Sequence, residues 1–361
     1  MLKQLLKKKI KSVDRHFLSG KLLELYRVLR YGRFKSQTDH LKMIGVDISG
    51  GCNLSCTMCS LKNRNPQIRN HVLPMQAVER IAPLLCNVQE VSLQVNCEPL
   101  LNRDADVFIR QLKKHKSDLF VSMVTNATLM TEPMCEKLIE AGINRILVSL
   151  DGATAETYES VRVPAKFEKV TANIRTIARV RDRCQPYNFT LGTITVSNKD
   201  NLNELMAILE LSADLGADIY HINGLEPYDE THAGKILYGH QSDPIIEKQF
   251  QRLRNRAEQL GVQLVMPSLV KRPYDKCDIN SCIIDSDGYV FPCSILSYER
   301  KYFYEDKELV HPAIVFGNIF QQDLRKIWES EEFTRFRTNI RNGFFPSYCQ
   351  SCLMQERVIC G

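Results

Sequence analysis

The sequence predicts an α/β protein: a partial barrel of six βα units, preceded by a basic helical arm and followed by a cysteine-rich extension. Three observations carry this reading. Six short apolar, β-branched runs alternate with longer helix-period segments between Gly45 and Pro267. The first 36 residues are dense in Lys and Arg, and six of the thirteen cysteines fall after Pro267.

Composition supports a folded chain. At 361 residues, 44% hydrophobic and 25% charged, it can bury a sizeable core. No run approaches the roughly 18–20 apolar residues of a membrane span. The cationic N-terminus lacks an apolar stretch followed by a small-residue cleavage site, so no secretory signal is read. Thirteen cysteines without export imply a reducing, cytoplasmic setting, where thiols bind metal or react rather than pair.

The arm spans residues 1–42. Between residues 1 and 36, eleven cations face only Asp14 and Glu24, which gives the arm +9 and leaves about −3 for the rest of a +6 chain. Leu2, Leu5, Leu6, Ile10, Val13, Phe17, Leu22, Leu25 and Leu29 recur at helical spacing. Such a helix docks on an anionic surface, such as a membrane leaflet or a phosphorylated substrate, or packs on the main domain with a solvated basic face; the second arrangement is the commoner. A peripheral membrane contact is therefore one expectation, and no nucleic-acid partner is expected.

The barrel spans 43–267. Strands are predicted at 45–49, 91–96, 119–126, 145–151, 188–196 and 218–224, with helices at about 74–85, 104–115, 131–141, 166–183, 201–215 and 244–260. Alternation of this kind gives parallel strands joined by right-handed crossovers, with ligands at the C-terminal strand ends. The texture changes after Pro267, which places a boundary near 268–276 and an extension over 268–361. Within it, "IIDSDGYVFPC" (283–293) reads as a hairpin turning at Asp287-Gly288.

The chemistry lies on loops. Cys52, Cys56 and Cys59 form C-x3-C-x2-C just after the first strand. A structural zinc site wants four ligands, usually in two close pairs, whereas three thiolates on an iron–sulfur cube leave one iron open to a substrate or cofactor. The motif in this place resembles the radical S-adenosylmethionine (SAM) superfamily, whose barrel is a partial (β/α)6 TIM-like one. The resemblance implies a [4Fe-4S] cluster that binds SAM and cleaves it to a 5′-deoxyadenosyl radical. It implies further cofactor contacts. In "QVNCEPLL" (94–101), Glu98 matches the carboxylate of the family's Gly-Gly-Glu-Pro turn, which the resemblance implies accepts a hydrogen bond from the SAM amino group, though Asn96 and Cys97 stand where glycines are usual. In "TNAT" (125–128), Asn126 matches a ribose or substrate contact, and in "VSLDGATAETYESVR" (148–162) Ser149 and Arg162 match the SAM carboxylate site. Met58 stands where an aromatic residue more often packs near the adenine, a place that a polarizable Met can fill.

The extension is similar to SPASM and twitch domains, which carry auxiliary clusters. Cys277 and Cys293 form C-x10-G-x4-C, and Cys349 and Cys352 form C-x2-C. These four are the expected ligands of one auxiliary [4Fe-4S] cluster, with Cys360 as an alternative ligand and structural zinc as the competing occupant. Cys86, Cys135 and Cys184 are expected as buried core thiols. Cys282 and Cys97 are candidate hydrogen-atom donors, as in related epimerases, against the plainer reading of inert buried thiols. Candidate bases for an oxidation are His221, Asn223, Glu226, Asp229 and Glu230, with His221 also readable as a core histidine.

The resemblance thus implies an oxidoreductase or epimerase that uses SAM and an electron donor such as flavodoxin or ferredoxin. The 51 residues before Cys52 read as basic helices rather than a leader-binding domain, which favours a small molecule (a sugar, aminocyclitol, nucleotide- or lipid-linked compound) over a ribosomal peptide. A SPASM peptide maturase is the alternative; a non-catalytic iron–sulfur electron carrier or a zinc-stabilised binding protein is the reading from another class.

Overall fold

The computed structural model describes residues 41–63, 71–270, 277, 279–304, 307–350, 352 and 357–360. All but the last two residues of the expected basic arm lie outside the described residues. Seven parallel strands form the barrel wall: β1 (Met43–Val46), β2 (Glu90–Ser92), β3 (Phe120–Thr125), β4 (Arg145–Ser149), β5 (Thr190–Ser197), β6 (Ile219–Gly224) and β7 (Gln263–Pro267). The first six match the predicted runs. The seventh, β7, is an addition. It follows the helix 244–260 without a separate turn signal and pairs with β6 through Ile219–Gln263, Tyr220–Leu264 and His221–Val265.

Helices α1 (Gln76–Leu85), α2 (Ala105–His115), α3 (Glu132–Glu140), α4 (Ala155–Val161), α5 (Phe167–Cys184), α6 (Leu205–Asp214), α7 (Glu230–Ala233) and α8 (Pro244–Leu260) connect the strands. Local chemistry fixes their ends. The Thr131 side chain accepts from Met134 N at 3.3 Å to open α3, and Asp243 accepts from Ile245 N at 2.8 Å to open α8. α8 stops at Gly261, whose φ of +67° suits a residue without Cβ. The longer helices bury an apolar stripe; α5 buries Val170, Ile174 and Ile177.

The extension continues the same sheet at both edges. β8 (Ser281–Ile284) lies parallel on β1, and β9 (Tyr289–Phe291) folds back on β8 as the predicted hairpin, with Gly288 at φ +84°. A two-stranded ribbon, β10 (Arg300–Tyr304) and β11 (Lys307–His311), follows; β12 (Gly317–Asn318) then pairs with β9, and β13 (Arg357–Cys360) runs antiparallel to β7. The short helices α9 (Leu324–Trp328), α10 (Glu331–Arg341) and α11 (Ser347–Gln350) complete it. Gly45 shows how tightly β8 is seated: a Cβ there would meet Ile283 Cδ1 and Val95 Cγ2, each at 2.7 Å. Gly45 and Ile283 therefore face the barrel interior, and their neighbours Ile44 and Cys282, paired in register, face the helices.

Candidate active site

The first cysteine loop leaves β1 and is stitched to the rest of the barrel mouth. Gly50 N donates to His71 O at 2.7 Å, Ser55 N to Val163 O at 2.7 Å and Thr57 N to Val161 O at 2.9 Å. All three sulfurs receive an N–H. Leu54 N reaches Cys52 Sγ and Leu61 N reaches Cys59 Sγ, both at 3.4 Å; Asn126 Nδ2 reaches Cys52 Sγ and Arg162 Nη1 reaches Cys56 Sγ, both at 3.7 Å. Donors aimed at sulfur suit thiolates, the form that binds metal. Burial alone works the other way, pushing the Cys52 thiol up to about 11 and the Cys56 thiol upward as well. A bound cation supplies what reverses that preference, so this donor set fits a cationic cluster.

Around the loop stand the residues matched from sequence. Glu98 is 2% exposed. Its Oε1 accepts from Thr125 Oγ1 at 2.6 Å and Leu100 N at 3.1 Å, and its Oε2 from Asn126 N at 2.7 Å. Desolvation nonetheless raises it to about 6. Arg162 pairs with the buried Asp151 through Nε, and Asp151 Oδ1 accepts from Val196 N at 2.7 Å. Asn126 is fixed by Asn53 Oδ1 at 2.9 Å and accepts from Thr128 N at 2.9 Å.

A cavity of about 330 Å³ opens between the loop and the strand ends, and Cys52, Cys56, Cys59, Met58, Glu98, Asn126, Ser149 and Arg162 all line it. Asn96, Cys97, Asn223, Glu226 and Tyr228 line it as well. Cys97 is 8% exposed. Glu226 Oε2 accepts from the Tyr228 hydroxyl, and from the Tyr302 hydroxyl at 3.4 Å. The other base candidates sit elsewhere. His221 is buried on β6 outside the lining, Asp229 caps α7 by accepting from His232 N at 3.0 Å, and Glu230 opens that helix.

Cys277, Cys293, Cys349 and Cys352 converge in the extension. Burial pushes the Cys293 and Cys349 thiols up to about 12, and negative charge on the other members of the set raises each of them further. Cys293 and Cys352 pack against a small core of Tyr238, Ile295, Tyr302 and Tyr304 that lies behind Tyr228. Among the described residues, no three His, Cys, Asp or Glu side chains crowd closely enough to chelate a single ion.

Several expectations are corrected. Cys282 is 0% exposed in the main core, on the helix side of β8 and beside Arg337, because strand alternation turns Ile283 rather than Cys282 toward the barrel interior. It does not line the cavity. Cys135 is buried as expected, but Cys86 and Cys184 are exposed, since both stand at helix C-termini rather than on apolar faces. The backbone of Cys360 pairs with Leu264 on β7; its side chain lies outside what the structure describes.

Sequence reasoning missed Asp151, Asp47 and Arg300. Asp47 Oδ1 accepts from Val95 N at 2.8 Å and Asn96 N at 2.9 Å, which shapes the turn carrying Cys97 and Glu98. Arg300 is 5% exposed and donates to Asn96 Oδ1 at 2.9 Å and Tyr228 OH at 3.4 Å. The aromatic-basic run "SYERKYFY" (297–304) was the signal that could have found it.

Comparisons with known proteins bear on the family and the fold. Residues 46–212 match the radical SAM superfamily, and residues 277–353 match SPASM, an iron–sulfur cluster-binding domain. The chain is 26% identical over 325 residues to an AdoMet-dependent heme synthase of Methanosarcina barkeri, covering 83% of this chain and 85% of that one. It is 25% identical over 325 residues to a cofactor-modifying protein of the tungsten-containing aldehyde ferredoxin oxidoreductase of Pyrococcus furiosus, covering 88% of each. In fold it is similar to Streptococcus suis SuiB bound to its precursor peptide SuiA, with a TM-score of 0.63, 14% identity and coverage of 94% of this chain and 78% of that one. It is similar also to anSMEcpe with bound AdoMet and a peptide, with a TM-score of 0.58, 17% identity and 86% coverage of each.

Proposed function

We propose that this chain, which belongs to the radical SAM superfamily and carries a SPASM domain, removes a hydrogen atom from a small-molecule substrate and brings about its oxidation or epimerisation. Its cofactors are a [4Fe-4S] cluster with SAM and an auxiliary iron–sulfur cluster, as the two domains imply. Cys52, Cys56 and Cys59 would hold the first, and Cys277, Cys293, Cys349 and Cys352 the second. When loaded, the two sites supply a 5′-deoxyadenosyl radical at the pocket and a one-electron acceptor beyond it.

The observation that carries the reading is the shared cavity. Its lining holds the cysteine loop with Glu98, Asn126, Ser149 and Arg162, the residues proposed to grip SAM. The same lining offers two further chemistries. The Glu226 hydrogen bonds from Tyr228 and Tyr302 both end on Oε2, and among the described residues none is recorded at Oε1. A carboxylate oxygen facing a pocket takes an O–H or N–H donor, so Glu226 suits a substrate hydroxyl or amine, whose proton it accepts on oxidation. Cys97 suits return of a hydrogen atom instead, which gives epimerisation. A flavodoxin or ferredoxin is the proposed electron donor.

The test uses anaerobically reconstituted protein with dithionite, SAM and a metabolite extract from a deletion strain. 5′-Deoxyadenosine should form, and its yield should rise with the extract. In D2O an epimerised product carries one deuterium at the inverted carbon, whereas an oxidised product lacks two hydrogens. Absence of 5′-deoxyadenosine from iron-loaded protein would end the proposal.

A further inference from the structure

Two residues of the extension join the two cysteine sites. Ser60 follows Cys59 directly, and Ser294 follows Cys293 directly. The Tyr298 hydroxyl is hydrogen-bonded to Ser60 Oγ. The Arg300 guanidinium lies over the Tyr298 ring, its Cζ 3.7 Å from the centroid. The same guanidinium donates through Nη2 to Ser294 O at 2.6 Å, Ser297 Oγ at 3.1 Å and Asn96 Oδ1 at 2.9 Å, and through Nη1 to Tyr228 OH at 3.4 Å. A continuous path thus runs from the residue after one cysteine, through one phenol and one guanidinium, to the residue after another.

The chemistry of Arg300 makes this path unlike ordinary packing. Its hydrogen-bond partners are neutral, and the Glu226 carboxylate acts on it from behind the Tyr228 and Tyr302 hydroxyls rather than in a direct pair. Burying a cation without a directly paired carboxylate is costly, and a lysine could not fill a planar fork of this shape or stack on the ring. Nη1 and Nη2 offset part of that cost, and their partners come from three separate segments around the cavity, whereas Nε is buried with no hydrogen-bond partner among the described residues. The fourth segment, the first cysteine loop, is reached only through Tyr298.

We propose that Arg300 and Tyr298 are positioning residues that hold the two cysteine loops in one register, so that emptying the auxiliary site loosens the loop 52–63. The inference rests on the reading of the two thiol sets as cluster sites. Neither residue touches a reacting atom. Tyr298 acts through Ser60 on the loop, and Arg300 acts through Tyr298 and through the backbone beside Cys293.

The experiment is hydrogen–deuterium exchange on anaerobically reconstituted holoenzyme, followed over the amides of residues 52–63, with iron and sulfide counted in parallel. Tyr298→Phe keeps the ring and its stack on Arg300 and removes the hydroxyl that meets Ser60. Exchange in 52–63 should rise roughly two- to tenfold, the effect of one hydrogen bond, with iron unchanged. Cys349→Ser/Cys352→Ser, which empties the auxiliary site, should raise exchange in the same segment, and adding Tyr298→Phe to it should raise it no further, since both act on one path. Arg300→Gln should reproduce the rise, and Arg300→Lys should not rescue it. Unchanged exchange in Tyr298→Phe overturns the proposal, and so do fully additive effects in the combined variant. Wild-type iron far below about eight per chain would count against the two-cluster reading instead, a result read separately from the exchange.

Discussion

The two cysteine sites are built in opposite ways. Cys52, Cys56 and Cys59 sit within one turn-rich loop, positioned by backbone bonds to Val161 and Val163. The auxiliary thiols come from three segments between Cys277 and Cys352, and their approach depends on the hairpin β8–β9, on α11 and on a tyrosine core. The first site is local and needs only a short stretch of chain. The second is an outcome of tertiary folding. The difference implies that the first site tolerates damage to the second better than its own loss of a ligand, and that loading the second stabilises the extension.

Breaking the local site should have the largest effect. Cys56→Ala removes a thiol that accepts from Arg162 and lines the cavity. SAM cleavage should fall to background while about four iron per chain remain in the auxiliary site. Product analysis and iron counts on the same sample check this, and residual cleavage above background would contradict the ligand set. Next in size is the dispersed site. Cys349→Ser/Cys352→Ser should halve the iron, abolish substrate oxidation, leave SAM cleavage within an order of magnitude, and lower the Tm by about 5 °C or more, since metal binding there is also folding energy.

This contrast also explains what could be read without coordinates. The strands β1–β6 were legible because each is a β-branched run bounded by turn residues. β7 was not, because "QLVMP" follows α8 after a single Gly-Val step and carries too few residues to show alternation. In the site, Cys52, Cys56 and Cys59 stood out through their local spacing, and Glu98 only through the resemblance of its turn to the family's. Arg300 was not, because its meaning depends on Asn96, 204 residues away in sequence. Asp151 lay inside a quoted motif, yet its buried pairing with Arg162 is visible only when the strand end and the helix end meet. Cys282 misled for the same reason. Proximity in sequence to two proposed ligands says nothing about which face of β8 a side chain occupies.

A smaller effect sharpens the comparison at Glu98, which lines the cavity together with the first site. Burial raises its pKa from 4.5 to about 6. Between those values the folded chain holds more protons than the unfolded chain, so this group's contribution to stability is present below pH 4.5 and is lost as pH rises through about 6. The loss is on the order of 2 kcal/mol. Glu98→Gln does not titrate, so the slope of Tm against pH between 4.5 and 7 should flatten in the SAM-free protein whatever its absolute stability. SAM should bind wild-type holoenzyme more tightly as pH rises through 6, when the carboxylate forms to meet its amino group, and the variant should lose that dependence. A parallel pH profile in both proteins would remove Glu98 from the SAM site.

The smallest effect separates the two candidate donor thiols. Cys97 lines the cavity, whereas Cys282 faces the helix layer with Arg337 near it, and burial pushes its thiol up to about 12. Arg337 is itself held by Trp328 O at 2.9 Å and stacks at 3.7 Å over the Trp328 ring, so the space beside Cys282 is filled and rigid. Cys282→Ala should therefore cost only about 1 kcal/mol of stability, the effect of a small cavity, and leave deuterium incorporation from D2O unchanged. Cys97→Ala should leave stability nearly unchanged and abolish that incorporation if the reaction is an epimerisation. The pair is informative because both thiols are buried but only Cys97 lines the cavity. Loss of incorporation in Cys282→Ala with both clusters loaded would mean that β8 presents its other face to the substrate, and the register of Ile44 with Cys282 would have to be abandoned.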